Sequence, residues 1–231
     1  MSDPAVSMAD SAAGGRSYAG FSPEAFATEP LALLPPSAIS LPADLEGGPQ
    51  GDALRRELTI VVTERLPEEL RILHSRAPVF GYADWAGREE AGPRAGFLQS
   101  VLGWTGSPGP AGELPPMVGN SVEELGDSRG IRYFLFPRVL RVTRSETFGY
   151  DATLEAYLLD ARGERVVWAG VGRAVGELPE DVQTERLLQD VVLDAARGAA
   201  ADLSARLPGS ASAGGRSGFT DVEAGAGVEG R

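Results

Sequence analysis

From Leu31 onward the apolar positions fall into blocks of distinct period. Leu31-Ala32-Leu33-Leu34 is a short apolar run halted by Pro35-Pro36, which predicts a strand ending in a turn. Between Asp52 and Leu66, Leu54, Leu58, Val61 and Val62 recur at helical spacing, while Arg55, Arg56, Glu57, Glu64 and Arg65 take the other side. This predicts an amphipathic helix closed before Pro67, because proline disfavours helical geometry in the residue ahead of it. Thr59-Ile60-Val61-Val62-Thr63 is β-branched and would favour a strand on propensity alone; length and charge placement favour the helix. Leu70 to His74 reads as a second short strand.

Residues 78–118 interrupt the periodicity with prolines and glycines, and they carry Phe80, Tyr82, Trp85, Phe97 and Trp104. A short helix is expected near Gly96–Leu102. Ser121-Val122-Glu123-Glu124 matches a capping box, in which hydroxyl and carboxylate satisfy amide donors reciprocally. That helix should end within Gly126–Gly130. Ile131 to Val142 is a long strand, apolar on both sides in its middle, with Pro137 demanding a bulge or a place near an edge. Tyr150 to Leu159 alternates, Asp160-Ala161-Arg162-Gly163 is a turn, and Arg165 to Val175 returns with Trp168, which together predict a β-hairpin. Thr184 to Leu207 closes as a helix with Leu188, Val191, Val192, Ala195, Ala199 and Leu203 as its stripe, stopped by Pro208.

Strands that cluster late with helices around them imply an α+β class: a small mixed or antiparallel sheet with helices packed against it. Residues 1–29, rich in Ala, Ser, Gly and Pro, read as a disordered arm, and 208–231 as a disordered Gly/Ser/Ala tail. The domain is then 30–207, with 78–118 as an irregular, aromatic-rich insertion.

Composition narrows the function classes. With 42% apolar residues over 231 positions the chain can bury a real core. Its net charge is −12, and all 21 basic residues are arginine. Phosphate backbones repel such a surface, so no nucleic-acid partner is expected. The missing lysine excludes a P-loop, a Schiff base and the kinase lysine. The missing cysteine excludes disulfides, thiolate nucleophiles and iron–sulfur clusters, and leaves the redox compartment open. No apolar run approaches the length of about 18 residues that a spanning helix needs. The first thirty residues lack the charged and apolar regions of a signal peptide, so either the chain is cytoplasmic, with Met1 its genuine start, or a leader has been removed.

Motifs that spell chemistry fail on context. Gly225-Ala226-Gly227-Val228-Glu229-Gly230 has the dinucleotide spacing but no helix after it to receive a pyrophosphate. Gly170-Val171-Gly172 lies inside a strand and reads as packing. Gly126-Asp127-Ser128 resembles an esterase nucleophile block, yet the lone histidine, His74, has no downstream pairing, so Asp127 and Ser128 read as turn residues. Glu89-Glu90 and Glu123-Glu124 are acidic pairs whose members diverge in direction. Arg132, Arg138 and Arg144 share strand parity and should lie on one face, as ion-paired side chains or as an anion-binding stripe. No catalytic residue, cofactor or metal set is expected.

From Ser121 to Ala174 a capped helix leads into Gly130-Ile131-Arg132-Tyr133-Phe134-Leu135-Phe136, then into a hairpin reading Leu159-Asp160-Ala161-Arg162-Gly163-Glu164-Arg165-Val166-Val167-Trp168-Ala169-Gly170. This segment resembles the periplasmic α/β domain of bacterial envelope lipoproteins. Relatives of that type are the curli-secretion lipoprotein family, the activator lipoproteins of penicillin-binding proteins, and the amino-terminal domain of the Tol-system β-propeller protein. Leu33-Leu34-Pro35-Pro36 resembles their first strand.

The resemblance implies a non-catalytic binding or assembly module of the cell envelope, periplasmic, working through protein partners of an envelope or secretion complex, with an oligomer possible. Membrane association is expected only if a lipidated leader is missing from this chain. A small hydrolase with a dispersed acidic site, or a cytosolic adaptor of the same fold, are the alternatives. The aromatics Phe80, Tyr82, Trp85, Phe97 and Trp104 are the candidate partner-binding residues; the insertion that carries them either folds back over the sheet or presents a docking surface.

Overall fold

A computed structural model of the protein describes residues 15–73, 76–87, 92, 94–144, 149–177 and 184–206. In chain order the elements are β1 (Arg16–Ser17), α1 (Pro23–Thr28), β2 (Leu31–Leu33), β3 (Ala38–Ser40), α2 (Gly48–Ile60), a π-helical segment (Val61–Arg65) and α3 (Leu66–Leu73). They continue as β4 (Val79–Phe80), α4 (Tyr82–Trp85), α5 (Ala95–Leu102), α6 (Pro116–Arg129), β5 (Tyr133–Arg144), β6 (Gly149–Asp160), β7 (Arg165–Glu177) and α7 (Thr184–Ser204).

The long strands β5, β6 and β7 form an antiparallel meander, as their alternating and doubly apolar patterns require. β1, antiparallel to β7, and β2, β3 and β4 in parallel pairings complete a mixed seven-stranded sheet in the order β1-β7-β6-β5-β2-β4, with β3 also on β5. The expected α+β class is therefore what the chain adopts. Pro137 sits where β5 tolerates it. β2 pairs with Tyr133–Leu135 and β3 with Val139–Arg141, so the prolines at 35 and 36 cross the gap opposite Pro137. The register against β6 shifts between Pro137 and Val139, a β-bulge in a central strand rather than an edge position.

The bulge has a second effect. Before it, Tyr133 and Leu135 face one core while Phe134 and Phe136 face the other; after it, the even-numbered Leu140 and Val142 join Tyr133 and Leu135. Arg132, Arg138 and Arg144 are thus not on one face, contrary to the parity argument. Arg138 stands over Tyr157 of the second core, and Arg144 over Tyr150 of the first. All three are ion-paired, to Asp160 and Glu29, Glu155, and Asp44 respectively.

The first core lies between the sheet and α1, α2, α3 and α7. Leu54, Leu58, Val62, Leu66 and Leu70 recur every fourth residue and are all buried there, so the helix expected to close before Pro67 runs on. The π-helical segment directly ahead of Pro67 accounts for this. A locally widened turn accommodates the ring and the missing N–H that would break a regular helix. Leu70 is helical as a result, not in a strand. The second core lies on the other face, under α4, α5 and α6.

Three further expectations change. Residues 15–29 belong to the ordered domain: they hold β1 and α1, the latter capped by the Ser22 hydroxyl accepting from the Ala25 N–H at 3.2 Å. Ser121 is not a cap. It lies inside α6, which starts at Pro116, and its hydroxyl donates to the Met117 carbonyl. Asp127 and Ser128 are in the last turns of that helix, which ends on Gly130 at φ 65°, a left-handed conformation glycine adopts without strain. Gly172 packs as expected, its α-carbon turned onto the backbone of α7 at Ala195 and Ala199.

The two ends of the described chain meet. The Gly15 N–H donates to Asp202 Oδ2 at 2.9 Å, Arg206 donates to the Ser17 hydroxyl at 2.7 Å, and Arg206 also donates to the Gly15 carbonyl. Residues 1–14, His74, Glu89, Glu90 and 207–231, including the glycine motif at 225–230, lie outside the described residues.

Candidate functional site

The aromatic-rich insertion folds into a cap over the second core. Trp85 closes its inner end: the ring is 5% exposed, its Nε1–H donates to the Leu33 carbonyl at 3.0 Å, and its centroid lies 5.4 Å from that of Phe134. Tyr82 meets Trp85 edge-on at 5.7 Å and is partly buried, as is Phe80. Trp104 is 6% exposed and stacks on Phe136 with centroids 6.4 Å apart; it also touches Tyr157 at 5.6 Å. Aromatic pairs of this kind add to area burial and fix ring orientation.

Arg138, on the same side of the sheet as Phe134 and Phe136, ties the cap to the sheet. It donates to the Tyr157 hydroxyl at 2.8 Å and to the Thr105 carbonyl, and lies 3.9 Å from Glu155. Thr105 follows Trp104 directly, so one guanidinium fixes the strand and the cap together. On the outer side, Arg94 at the start of α5 pairs with Glu124 of α6 at 3.4 Å and holds those helices together.

The five aromatics singled out in the sequence therefore divide. Trp85 and Trp104 point into the core, Phe80 and Tyr82 occupy the rim, and Phe97 on α5 is 37% exposed. Met117, at the start of the neighbouring α6, is 70% exposed and no pattern in the sequence marked it. The insertion covers the sheet and, through Phe97, also offers an apolar side chain to its surroundings.

The hairpin residues that carry the family resemblance are structural. The Asp160 carboxylate accepts from the Arg162 N–H at 3.2 Å, an Asx-turn contact, and from Arg132 at 3.4 Å. Glu29 receives both Arg132 and Arg162, so turn, strand and the end of α1 form one polar network. Trp168 is fully buried and its indole N–H donates to Asp202. Among the described residues, no three His, Asp or Glu side chains gather in a group able to hold a metal ion, and no helix is long and apolar enough to cross a membrane.

No family model matches the chain, and no curated protein matches it. Solved structures do. One is a PelC dodecamer from Paraburkholderia phytofirmans, at 10% identity and a TM-score of 0.37, covering 80% of this chain and 95% of that one. The hypothetical protein CT253 from Chlamydia trachomatis matches at 13% identity and a TM-score of 0.41 over 78% and 97%. The lipoprotein GNA1162 from Neisseria meningitidis matches at 18% identity and a TM-score of 0.34 over 71% and 90%. Likenesses at this level record a similarity and carry nothing about what this chain does.

Proposed function

We propose that the chain is a non-catalytic protein-binding module of the bacterial cell envelope, and that the outer side of its aromatic cap is the surface that meets the partner. The observation that carries this reading is the division of the cap aromatics. Trp85 and Trp104 are spent on holding the cap to the sheet, while Phe97 is turned outward on a helix clamped by Arg94–Glu124. An exposed aromatic on a rigid support loses little conformational entropy on docking, which is what interface anchors require. Phe80 and Tyr82 form the rim. The envelope setting rests on the resemblance of Ser121–Ala174 to the lipoprotein domains, whose motif residues are here taken up by turn and core contacts.

The test separates the fold from the surface. Phe97→Ala should leave the melting temperature unchanged and abolish recovery of the partner when tagged chain is purified from the envelope fraction of its own host. Partner recovery that is indifferent to Phe97, or a chain confined to the cytosolic fraction, would overturn the proposal.

A further inference from the structure

Two donors at the seam between cap and sheet are buried without an acceptor. The Trp104 Nε1–H and the Arg138 Nε–H are both shielded from solvent, and neither meets a hydrogen-bond partner. The other two indoles of the chain are met, Trp85 by the Leu33 carbonyl and Trp168 by Asp202. Buried donors are ordinarily paired, either within the protein or with something the protein receives. These two sit against the same peptide step. Arg138 donates to the Thr105 carbonyl and to the Tyr157 hydroxyl, and Trp104, the residue before Thr105, packs on the Tyr157 ring. The cover over the indole is thin. A Cβ on Gly106 would lie 2.8 Å from Trp104 Nε1, so the bare α-carbon of this glycine rests over the N–H. Thr105, Gly106 and Ser107 are exposed, and the backbone of Gly106 and Ser107 enters no loop hydrogen bond among the described residues. A segment held by so few contacts opens at low cost.

We propose that Trp104 and Arg138 form a carboxylate-binding site, with Thr105, Gly106 and Ser107 as its lid. The donors select the ligand class. Arg138 is cationic, yet the oxygens it hydrogen-bonds, those of Tyr157 and Thr105, are neutral, and Glu155 at 3.9 Å stands beyond hydrogen-bond reach. An anionic oxygen is the stronger acceptor for a guanidinium. A carboxylate brings two such oxygens, one for each unmet donor. The lid lifts at Gly106, and the bond from Arg138 to the Thr105 carbonyl is the one given up as the ligand enters. The absence of a side chain at position 106 is what leaves the indole N–H within reach. This site lies at the sheet side of the cap, so it does not depend on the reading of the outer surface.

Indole N–H resonances of the full chain read the site directly. The three tryptophans give three signals, and Trp104→Phe assigns one by removing it. In acetate-free buffer that signal should stand apart from the two bonded indoles. It should move toward them as sodium acetate replaces sodium chloride at constant ionic strength, while the signals of Trp85 and Trp168 stay still. Acetate should also raise the melting temperature of the wild type above its value in chloride, as any ligand of the native state does. Gly106→Ala, whose methyl blocks the approach to Nε1, and Trp104→Phe should both fold by circular dichroism and lose that rise. If either variant fails to fold, the wild-type titration decides, since one indole of three must move. An acetylated tripeptide with a free terminal carboxylate, set against its amide, separates the sources. A response to the acid at lower concentration than to acetate assigns the site to the end of a protein chain, and an equal response to a small free carboxylate. Three results would overturn the proposal: a Trp104 signal unmoved by acetate, one already at the bonded position before acetate is added, which means water meets the donor, or a folded Gly106→Ala variant that responds as the wild type does.

Discussion

The indole N–H of Trp168 donates to Asp202 Oδ2 at 3.1 Å, and that same oxygen accepts the N–H of Gly15 at 2.9 Å. One carboxylate on α7 thus satisfies the largest buried side chain of β7 and holds the residue just ahead of β1, the strand that flanks it. Asp202→Ala removes the acceptor from both donors. Leaving a buried donor unmet costs about 1–3 kcal/mol. Urea denaturation should show a loss of that size, and Asp202→Asn, which keeps an acceptor oxygen, a smaller one.

Gly172 and Gly198 face each other across β7 and α7 and should respond oppositely to the same change. A Cβ at Gly172 would lie 1.7 Å from the Ala195 carbonyl oxygen and 2.7 Å from the Ala199 nitrogen, both backbone atoms that cannot swing aside. Gly172→Ala should cost about 1–3 kcal/mol or more as the helix is forced off the strand. A Cβ at Gly198 meets nothing nearer than 3.6 Å. Since alanine is favoured over glycine inside a helix by about 1 kcal/mol, Gly198→Ala should raise the melting temperature.

Within the cap, thermal melts should rank the aromatics by their direction. Trp85→Ala removes a buried ring and its bond to Leu33, and should cost about 3–5 kcal/mol; Trp104→Ala should fall in the same range. Phe97→Ala should stay within about 0.5 kcal/mol of the parent. A cap in which Phe97 cost as much as Trp85 would place that side chain inside.

Tyr133 predicts an alkaline limit. Its ring is fully buried against Phe26, its hydroxyl has no partner among the described residues, and burial pushes its pKa from 10.0 up to about 12. The phenolate forms more readily in the unfolded chain than in the folded one. This residue's contribution is therefore intact below pH 10 and lost as pH rises toward about 12. Stability measured across that window should fall less steeply in Tyr133→Phe than in the wild type. At neutral pH the variant should be at least as stable, because it removes a buried unpaired hydroxyl.

The long elements were legible because pattern and propensity agree in them. β5, β6, β7 and α7 stand within a few residues of where their periods put them. The errors arose where a local rule met a wider constraint. Pro67 should end a helix, but the π-helical turn ahead of it lets the Leu54–Leu70 stripe continue beneath the sheet. Ser121 has the letters of a cap, yet Pro116 had already begun the helix. Ala38-Ile39-Ser40 pairs only because β5 offers an edge beyond its bulge, and two of its three side chains are exposed, so no apolar pattern announces it. At the candidate site the sequence named the five aromatics and left their directions open. Which ones point inward depends on contacts with Leu33, Phe134 and Phe136, distant in the chain.

The clasp of Gly15 and Ser17 by Asp202 and Arg206 brings the two ends of the described residues to a single corner. A tether on either end would thus suspend the domain from the same point. The loop between those ends could be closed, and new ends opened elsewhere, without redirecting any strand: a circular permutant joining 206 to 15 through a short linker would keep every register of the sheet.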